Sequence, residues 1–126
     1  MKILLDTHTF LWGLSDEGKL SERVRRLLPV SETCLSVVSL WEILIKNQAG
    51  KLPLPQPAGP YLMAKLAFNG VKLLPVAPDH VLRVESLPMH HRDPFDRLLI
   101  AQSIEQGWPI VTADPWFARY PVDVIW

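Results

Sequence analysis

Residues 3–14, ILLDTHTFLWGL, join a strand pattern directly to a helix pattern. The segment opens with the fully apolar run Ile3–Leu5, which is typical of a short strand buried on both faces of a sheet. The apolar residues that follow, Phe10, Leu11 and Leu14, recur at the spacing of one helix face. A strand that passes directly into a helix is the first part of a βαβ unit. We therefore expect an α/β fold.

The same alternation continues to the end of the chain. Further apolar, strand-like runs lie at Cys34–Val38, Val71–Val76, Pro109–Thr112 and, as an edge strand, Val122–Trp126. Helical patterns lie between them, at 21–28, 39–50, 61–69, 79–87 and 94–107. Strands that alternate with helices indicate parallel pairing. The expected architecture is a three-layer α/β/α sandwich with a central, mainly parallel sheet, as a single domain over residues 1–126.

Two helix starts carry clear capping signals. Ser39 is followed three residues later by Glu42, which is the spacing of a capping box. Pro94 fits the first position of a later helix, with Asp93 as its N-cap. Between these helices, the segment Lys51–Pro60 is rich in proline and is predicted to be a loop.

Composition limits the class of protein. The single cysteine, Cys34, excludes an intramolecular disulfide and fits a reducing compartment. The apolar run before Asp6 is too short for a signal peptide, and no stretch is long enough to span a bilayer. We expect a cytoplasmic protein with no membrane association. The net charge is zero, whereas a free-standing nucleic-acid binder is usually basic.

Four acids are expected at the same edge of the predicted sheet. Each lies just after a strand or in the first turn of a helix that leaves the same edge: Asp6, Glu42, Asp96 and Asp114. Converging carboxylates repel one another, and hard divalent cations compensate for that charge. The pattern predicts one or two Mg²⁺ or Mn²⁺ ions. Thr7 and Thr112 are expected to orient the carboxylates or a bound water.

Each acid also has a structural explanation when it is taken alone. A helix dipole favours an acid in the first turn, and an Asp after a strand often caps the next helix. His90, His91 and Arg92 precede Asp96 and are candidates for binding phosphate groups, but the two histidines equally fit a solvated loop. Arg97 is a further candidate, or a partner for a nearby acid.

The ordered motifs resemble those of PIN-domain ribonucleases, in particular the toxins of the VapC type. The four matching segments are LLDTH at 4–8, SLWEI at 39–43, DPFDRLLIAQ at 93–102 and VTAD at 111–114. The resemblance implies a divalent-metal endoribonuclease that is paired with a small antitoxin and forms a homodimer. It also implies that the catalytic and metal-binding residues are Asp6, Glu42, Asp96 and Asp114. Asp93 would serve mainly as a helix cap.

Other functions fit the sequence less well. A haloacid-dehalogenase-like phosphatase needs a second Asp two residues after the first, and His8 stands there. A DNA-directed nuclease of the same fold would usually carry extra helical segments. A catalytically weak PIN scaffold that binds RNA or protein would not need all four acids.

Overall fold

The computed structural model describes residues 1–126 and contains one parallel sheet of five strands. The strands are β1 Lys2–Leu5, β2 Glu32–Ser36, β3 Lys72–Leu74, β4 Ile110–Val111 and β5 Val124–Ile125. Their order across the sheet is β3-β2-β1-β4-β5, and every neighbouring pair is parallel. The predicted parallel sheet is therefore confirmed, with β5 at its edge.

Six α-helices connect the strands. They are α1 Thr7–Ser15, α2 Glu22–Leu27, α3 Val37–Gln48, α4 Ala58–Phe68, α5 Pro78–Arg83 and α6 Pro94–Gln106. Short 3₁₀ helices span Glu17–Lys19, Leu28–Val30, Val84–Ser86 and Pro115–Arg119. None of the helices combines the length and the hydrophobicity that crossing a membrane requires.

Alternate residues of β1 point into two separate cores. Ile3 and Leu5 pack with side chains of α1, α2, α3 and α4 on one face of the sheet. Leu4, between them, packs on the other face with Leu99 and Ile100 of α6. A strand covered on both faces has to be apolar throughout, which explains the uninterrupted run at 3–5. The predicted three-layer α/β/α sandwich is confirmed.

The predicted boundary between β2 and α3 is wrong by three residues. The strand ends at Ser36, whose hydroxyl accepts a hydrogen bond from the Val38 amide and caps α3. Ser39 is therefore not the cap but a buried residue of the first turn, and Glu42 lies in the second turn. The β-branched residues Val37 and Val38 suggested a strand, but the preference of serine for the N-cap position prevails here.

The start of α6 is as predicted. The Asp93 carboxylate accepts hydrogen bonds from the amides of Phe95 and Asp96, and Pro94 is the first helical residue. The helix ends at Gly107, which has a φ of 68°, a left-handed conformation that glycine adopts without strain. The predicted loop at 51–60 is shorter than expected, because α4 already begins at Ala58.

Candidate functional site

The site lies where the direction of chain winding reverses. From β1 the chain moves to β2 and β3 on one side, whereas β4 and β5 lie on the other side of β1. In open parallel sheets, ligands bind beyond the carboxyl ends of the strands at such a switch point. Asp6 directly follows β1, and Asp114 follows β4 after two intervening residues.

Asp6 is fixed by both of its carboxylate oxygens. Oδ1 accepts a hydrogen bond of 2.7 Å from the Thr9 amide and so caps α1, while Oδ2 accepts one from the Thr112 hydroxyl. The Thr112 oxygen in turn accepts a hydrogen bond of 3.1 Å from the Asp114 amide. A carboxylate offers about four lone-pair sites, so these contacts leave acceptor capacity on the buried Asp6 side chain.

Glu42 reaches the site from α3, although it lies one turn further along the helix than predicted. It is only 5% exposed. Its Oε1 accepts a hydrogen bond of 2.8 Å from the Thr7 hydroxyl, which also lies 2.9 Å from the Ser39 hydroxyl. Its Oε2 accepts a hydrogen bond of 2.8 Å from the Lys46 ammonium group. Thr7 and Lys46 therefore hold Glu42 in one orientation.

The geometry at the start of α6 gives Asp93 and Asp96 different roles. Asp93 turns back onto the helix amides, at 2.8 Å from the Phe95 nitrogen and 3.1 Å from that of Asp96. The pKa of Asp96 is raised to about 7 because burial disfavours its charged form and because the charge of Asp93 is close. The charges of Glu42 and Asp6 add to this rise in the pKa of Asp96.

His91 lies between two of the acids. Its Nε2 atom is 2.9 Å from Oδ2 of Asp96 and 3.4 Å from Oδ2 of Asp114. The other oxygen of Asp114 accepts a hydrogen bond of 2.9 Å from the Trp116 amide and caps the 3₁₀ helix Pro115–Arg119. No periodicity in the sequence indicates this position for His91, because it depends on the path of the loop before α6.

The donor set fits a divalent cation. Ligand atoms of His91, Asp96 and Asp114 all lie within 4.8 Å of one another. Asp6 and Glu42 stand outside this tight trio but close enough for their charges to affect Asp96. Carboxylate oxygens and an imidazole nitrogen are ordinary ligands for such ions, which would also relieve the repulsion among the acids.

Arg97 does not face the acids. It is 8% exposed, and its guanidinium donates hydrogen bonds to the carbonyl oxygens of Pro88 at 2.9 Å, Val84 at 3.1 Å and Leu87 at 3.3 Å. The geometry contradicts both its expected contact with RNA phosphate and its expected pairing with an acid, because the donors are occupied inside the protein. Its role is to hold the segment before α6.

The two other basic candidates remain at the surface. His90 is exposed, with its ring 5.4 Å from that of Tyr120. Arg92 is exposed as well and forms no ion pair within 4.0 Å. Beside the acids, the exposed Trp41 packs edge to face on Phe95, with ring centroids 5.2 Å apart. These groups form the rim of the site.

A cavity of about 480 Å³ lies apart from the acid cluster, since neither the four acids nor His91 line it. Its lining comes from α1, α2, the region between them and the end of α4, and includes Phe10, Leu14, Leu20 and Phe68. No residue of the proline-rich segment 51–60 lines it.

Several known proteins are similar to this chain. A curated relative, Ribonuclease VapC22 from Mycobacterium tuberculosis, is 28% identical over 114 residues, which cover 89% of this chain and 86% of the relative. In the crystal structure of VapBC2 from Rickettsia felis, one chain superposes with a TM-score of 0.74 at 14% identity, covering 99% of this chain and 98% of that one.

Two further solved structures share the fold. FitAcB from Neisseria gonorrhoeae matches with a TM-score of 0.70 at 19% identity, over 98% of this chain and 96% of that one. VapBC-5 from Mycobacterium tuberculosis matches with a TM-score of 0.63 at 21% identity, over 98% and 97%. The family model of the PIN domain matches residues 3–123. With that match over nearly its whole length, the chain belongs to the PIN domain family.

Proposed function

We propose that this chain is a metal-dependent endoribonuclease and the toxin component of a toxin–antitoxin pair. The observation that carries the proposal is the convergence of four acids, from four separate segments, at the switch point of the sheet. The ribonuclease named among its relatives supports RNA as the substrate. Burial of Asp6 supports a charge-compensating ion, because its carboxylate has hydrogen bonds but no ion pair, and a buried charge without a counter-charge is costly.

The acids would share the work of metal binding. Asp6, Glu42, Asp96 and Asp114 would hold one or two Mg²⁺ or Mn²⁺ ions. A divalent ion held there lowers the pKa of a bound water and stabilises the leaving oxygen of a phosphodiester. Thr112 would keep Asp6 turned toward the site, and Thr7 would do the same for Glu42.

RNA binding would depend on the rim, because the chain as a whole is neutral. Arg92 and His90 are the exposed basic groups beside the acids and would contact phosphate. A local positive rim steers a polyanion even when the net charge is zero. Asp93 would contribute indirectly, by capping α6 and thus placing Asp96.

The substrate assignment is tested with matched oligonucleotides. Purified protein in Mn²⁺ is incubated with a single-stranded RNA and with DNA of the same sequence. We expect internal cuts in the RNA and none in the DNA. Cleavage of DNA alone would favour a DNA-directed nuclease, and cleavage of neither, with RNA binding retained, would favour a scaffold that only binds.

An antitoxin is the expected protein partner, since an uncontrolled ribonuclease would harm its host. The cavity between α1, α2 and α4 suits an amphipathic helix of such a partner, because the apolar side chains of Phe10, Leu14 and Leu20 line it. Arg25 and Glu17 at its border would pair with the charges of such a helix. Co-expression with the product of the neighbouring gene, followed by pull-down, tests this: absence of a complex at micromolar concentration would refute the pairing.

Self-association completes the proposal. We expect a homodimer in the cytoplasm, and the exposed apolar side chains Trp41 and Ile45 on α3 are consistent with a contact surface. Light scattering of the purified chain measures its mass directly. A monomeric mass at micromolar concentration would contradict the dimer without affecting the nuclease assignment.

A further inference from the structure

His91 is held in place by contacts that do not involve the acids. Its backbone amide donates a hydrogen bond of 2.8 Å to the Tyr120 hydroxyl, which donates one of 2.8 Å to the Pro88 carbonyl. The same carbonyl accepts a hydrogen bond from Arg97. The imidazole packs edge-on against Phe117, with ring centroids 6.1 Å apart. These contacts fix the loop and direct the ring toward Asp96 and Asp114.

The Nε2 atom of His91 is fully buried and makes no hydrogen bond. This holds although Oδ2 of Asp96 is 2.9 Å away and Oδ2 of Asp114 is 3.4 Å away. The distance to the Asp96 oxygen is short enough for a hydrogen bond, so it must be the angle that is unsuitable. The oxygen lies to one side of the line along which the ring N–H points. A buried nitrogen without a partner needs an explanation.

A shared ion supplies that explanation. In an octahedral site, two adjacent ligand atoms that each lie about 2.1 Å from the ion are about 3.0 Å apart. Seen from one ligand atom, the direction to its neighbour makes an angle of about 45° with the direction to the ion. The two distances from Nε2, 2.9 and 3.4 Å, are of that size. The off-axis position of the Asp96 oxygen is also what neighbouring ligands of one ion show.

We propose that Nε2 of His91 is a direct ligand of the divalent ion, together with Asp96 and Asp114, and that this nitrogen makes the site prefer Mn²⁺ to Mg²⁺. The proposal rests on the metal dependence put forward under the proposed function. Coordination by His91 adds one nitrogen ligand to a site in which the four acids would supply only oxygen ligands. Mg²⁺ prefers oxygen ligands and gives up its waters reluctantly, whereas transition ions accept imidazole.

Coordination requires a proton to move within the ring. In the metal-free chain Nδ1 accepts a hydrogen bond of 3.3 Å from the Asp93 amide, so the neutral ring carries its proton on Nε2. When Nε2 binds an ion, that proton is relocated to Nδ1 through exchange with solvent. The long hydrogen bond from Asp93 is lost, and a metal–nitrogen bond replaces it.

Pulsed electron paramagnetic resonance of Mn²⁺ tests the proposal without measuring activity. A directly bound imidazole modulates the electron spin echo through its nitrogen, and carboxylates do not. We expect this modulation in the wild-type protein, a change of its frequency when histidine is labelled with ¹⁵N, and its loss in His91→Gln. His8→Gln and His90→Gln should keep it. Calorimetry should show Mn²⁺ binding weakened roughly tenfold or more in His91→Gln, and Mg²⁺ binding weakened by a smaller factor.

The outcomes separate this inference from the proposed function. Binding of Mn²⁺ without nitrogen modulation, or modulation that persists in His91→Gln, would overturn the His91 ligand and leave the acid site intact. Equal losses of Mn²⁺ and Mg²⁺ affinity would overturn the selectivity. Absence of any Mn²⁺ binding to the wild-type protein would contradict both proposals. If His91→Gln fails to fold, the isotope experiment still shows whether a histidine binds the ion. Modulation that persists in His8→Gln and His90→Gln then assigns it to His91, because the ring nitrogens of His80 contact Ala77 and Gln106. Loss of the modulation in either of those variants would overturn the proposal.

Discussion

The hydroxyl of Thr112 donates a hydrogen bond to Oδ2 of Asp6, which lies 106 residues earlier in the chain. The same hydroxyl oxygen accepts a hydrogen bond from the Asp114 amide. One small side chain at the end of β4 therefore links the acid after β1 to the acid after β4. Thr112 is 1% exposed, so its hydroxyl is committed to these two contacts rather than to solvent.

Replacement of Thr112 by Val should cost about 1–3 kcal/mol in the free energy of unfolding, because it leaves a buried carboxylate oxygen and a backbone amide without partners. It should also weaken Mn²⁺ binding and slow cleavage of RNA. Thermal melts and calorimetry measure the first two effects. Thr112→Ser keeps the hydroxyl and serves as the control, with both properties close to wild type. Equal behaviour of the two variants would show that the hydroxyl has no role.

Asp93 and Asp96 are predicted to differ in what they contribute. Asp93→Ala removes the cap of α6 and should lower stability by about 0.5–2 kcal/mol. Asp93→Asn should leave stability and cleavage largely intact, since asparagine is also a good cap. Asp96→Asn should keep the fold and lose most of the cleavage, because an amide is a poor substitute for an anionic ligand.

Melting temperatures and cleavage rates of these three variants decide the assignment. If Asp93→Asn loses cleavage and Asp96→Asn retains it, Asp93 is the metal ligand and Asp96 is not.

The raised pKa of Asp96 predicts how stability depends on pH in the absence of metal. Its value of about 7 lies above the value of about 3.9 expected for an unfolded chain. Between these values the folded state holds a proton that the unfolded state has lost, so the stability contributed by Asp96 falls as pH rises toward 7. In EDTA, wild type should lose about 1–2 kcal/mol more than Asp96→Asn between pH 5 and pH 8. The difference between the two proteins is the readout, and identical pH profiles would refute this prediction.

Arg97 is predicted to be structural. Arg97→Met removes the guanidinium from three carbonyl oxygens and should cost about 2–4 kcal/mol, although the Pro88 carbonyl keeps the Tyr120 hydroxyl and the Val84 carbonyl keeps the Leu87 amide. Arg92→Ala, at an exposed neighbouring position, should change stability by less than about 0.5 kcal/mol and weaken RNA binding instead. Denaturant unfolding and RNA titrations of both variants measure this. If Arg97→Met is as stable as wild type but fails to bind RNA, Arg97 contacts RNA and is not a structural residue.

Much of the fold follows from local signals. The apolar run at 3–5 is a buried strand because it packs on two cores, and Asp93-Pro94 starts α6 as the capping preferences indicate. The start of α3 was misplaced because Ser36 and Ser39 are both good caps and the valines between them favour a strand. Only tertiary packing, which buries Ser39 against Thr7, distinguishes the two serines.

The site was only partly accessible from the sequence. Acids at the ends of parallel strands meet because the topology brings those ends together, so Asp6 and Asp114 could be paired in advance. The position of His91 could not, since it depends on the loop that Arg97 and Tyr120 hold. Arg97 was misassigned for the same reason: its sequence position lies beside Asp96, but its side chain points away into the protein.

Cleavage of RNA should depend on divalent ions held by the acids. A defined single-stranded RNA is incubated with wild type and with Asp6→Asn, first in EDTA and then after Mn²⁺ is restored in excess. We expect no cleavage by wild type in EDTA, full recovery with Mn²⁺, and little cleavage by Asp6→Asn in either condition. Full cleavage in EDTA, or wild-type rates in Asp6→Asn, would contradict a nuclease that works through ions held by these acids.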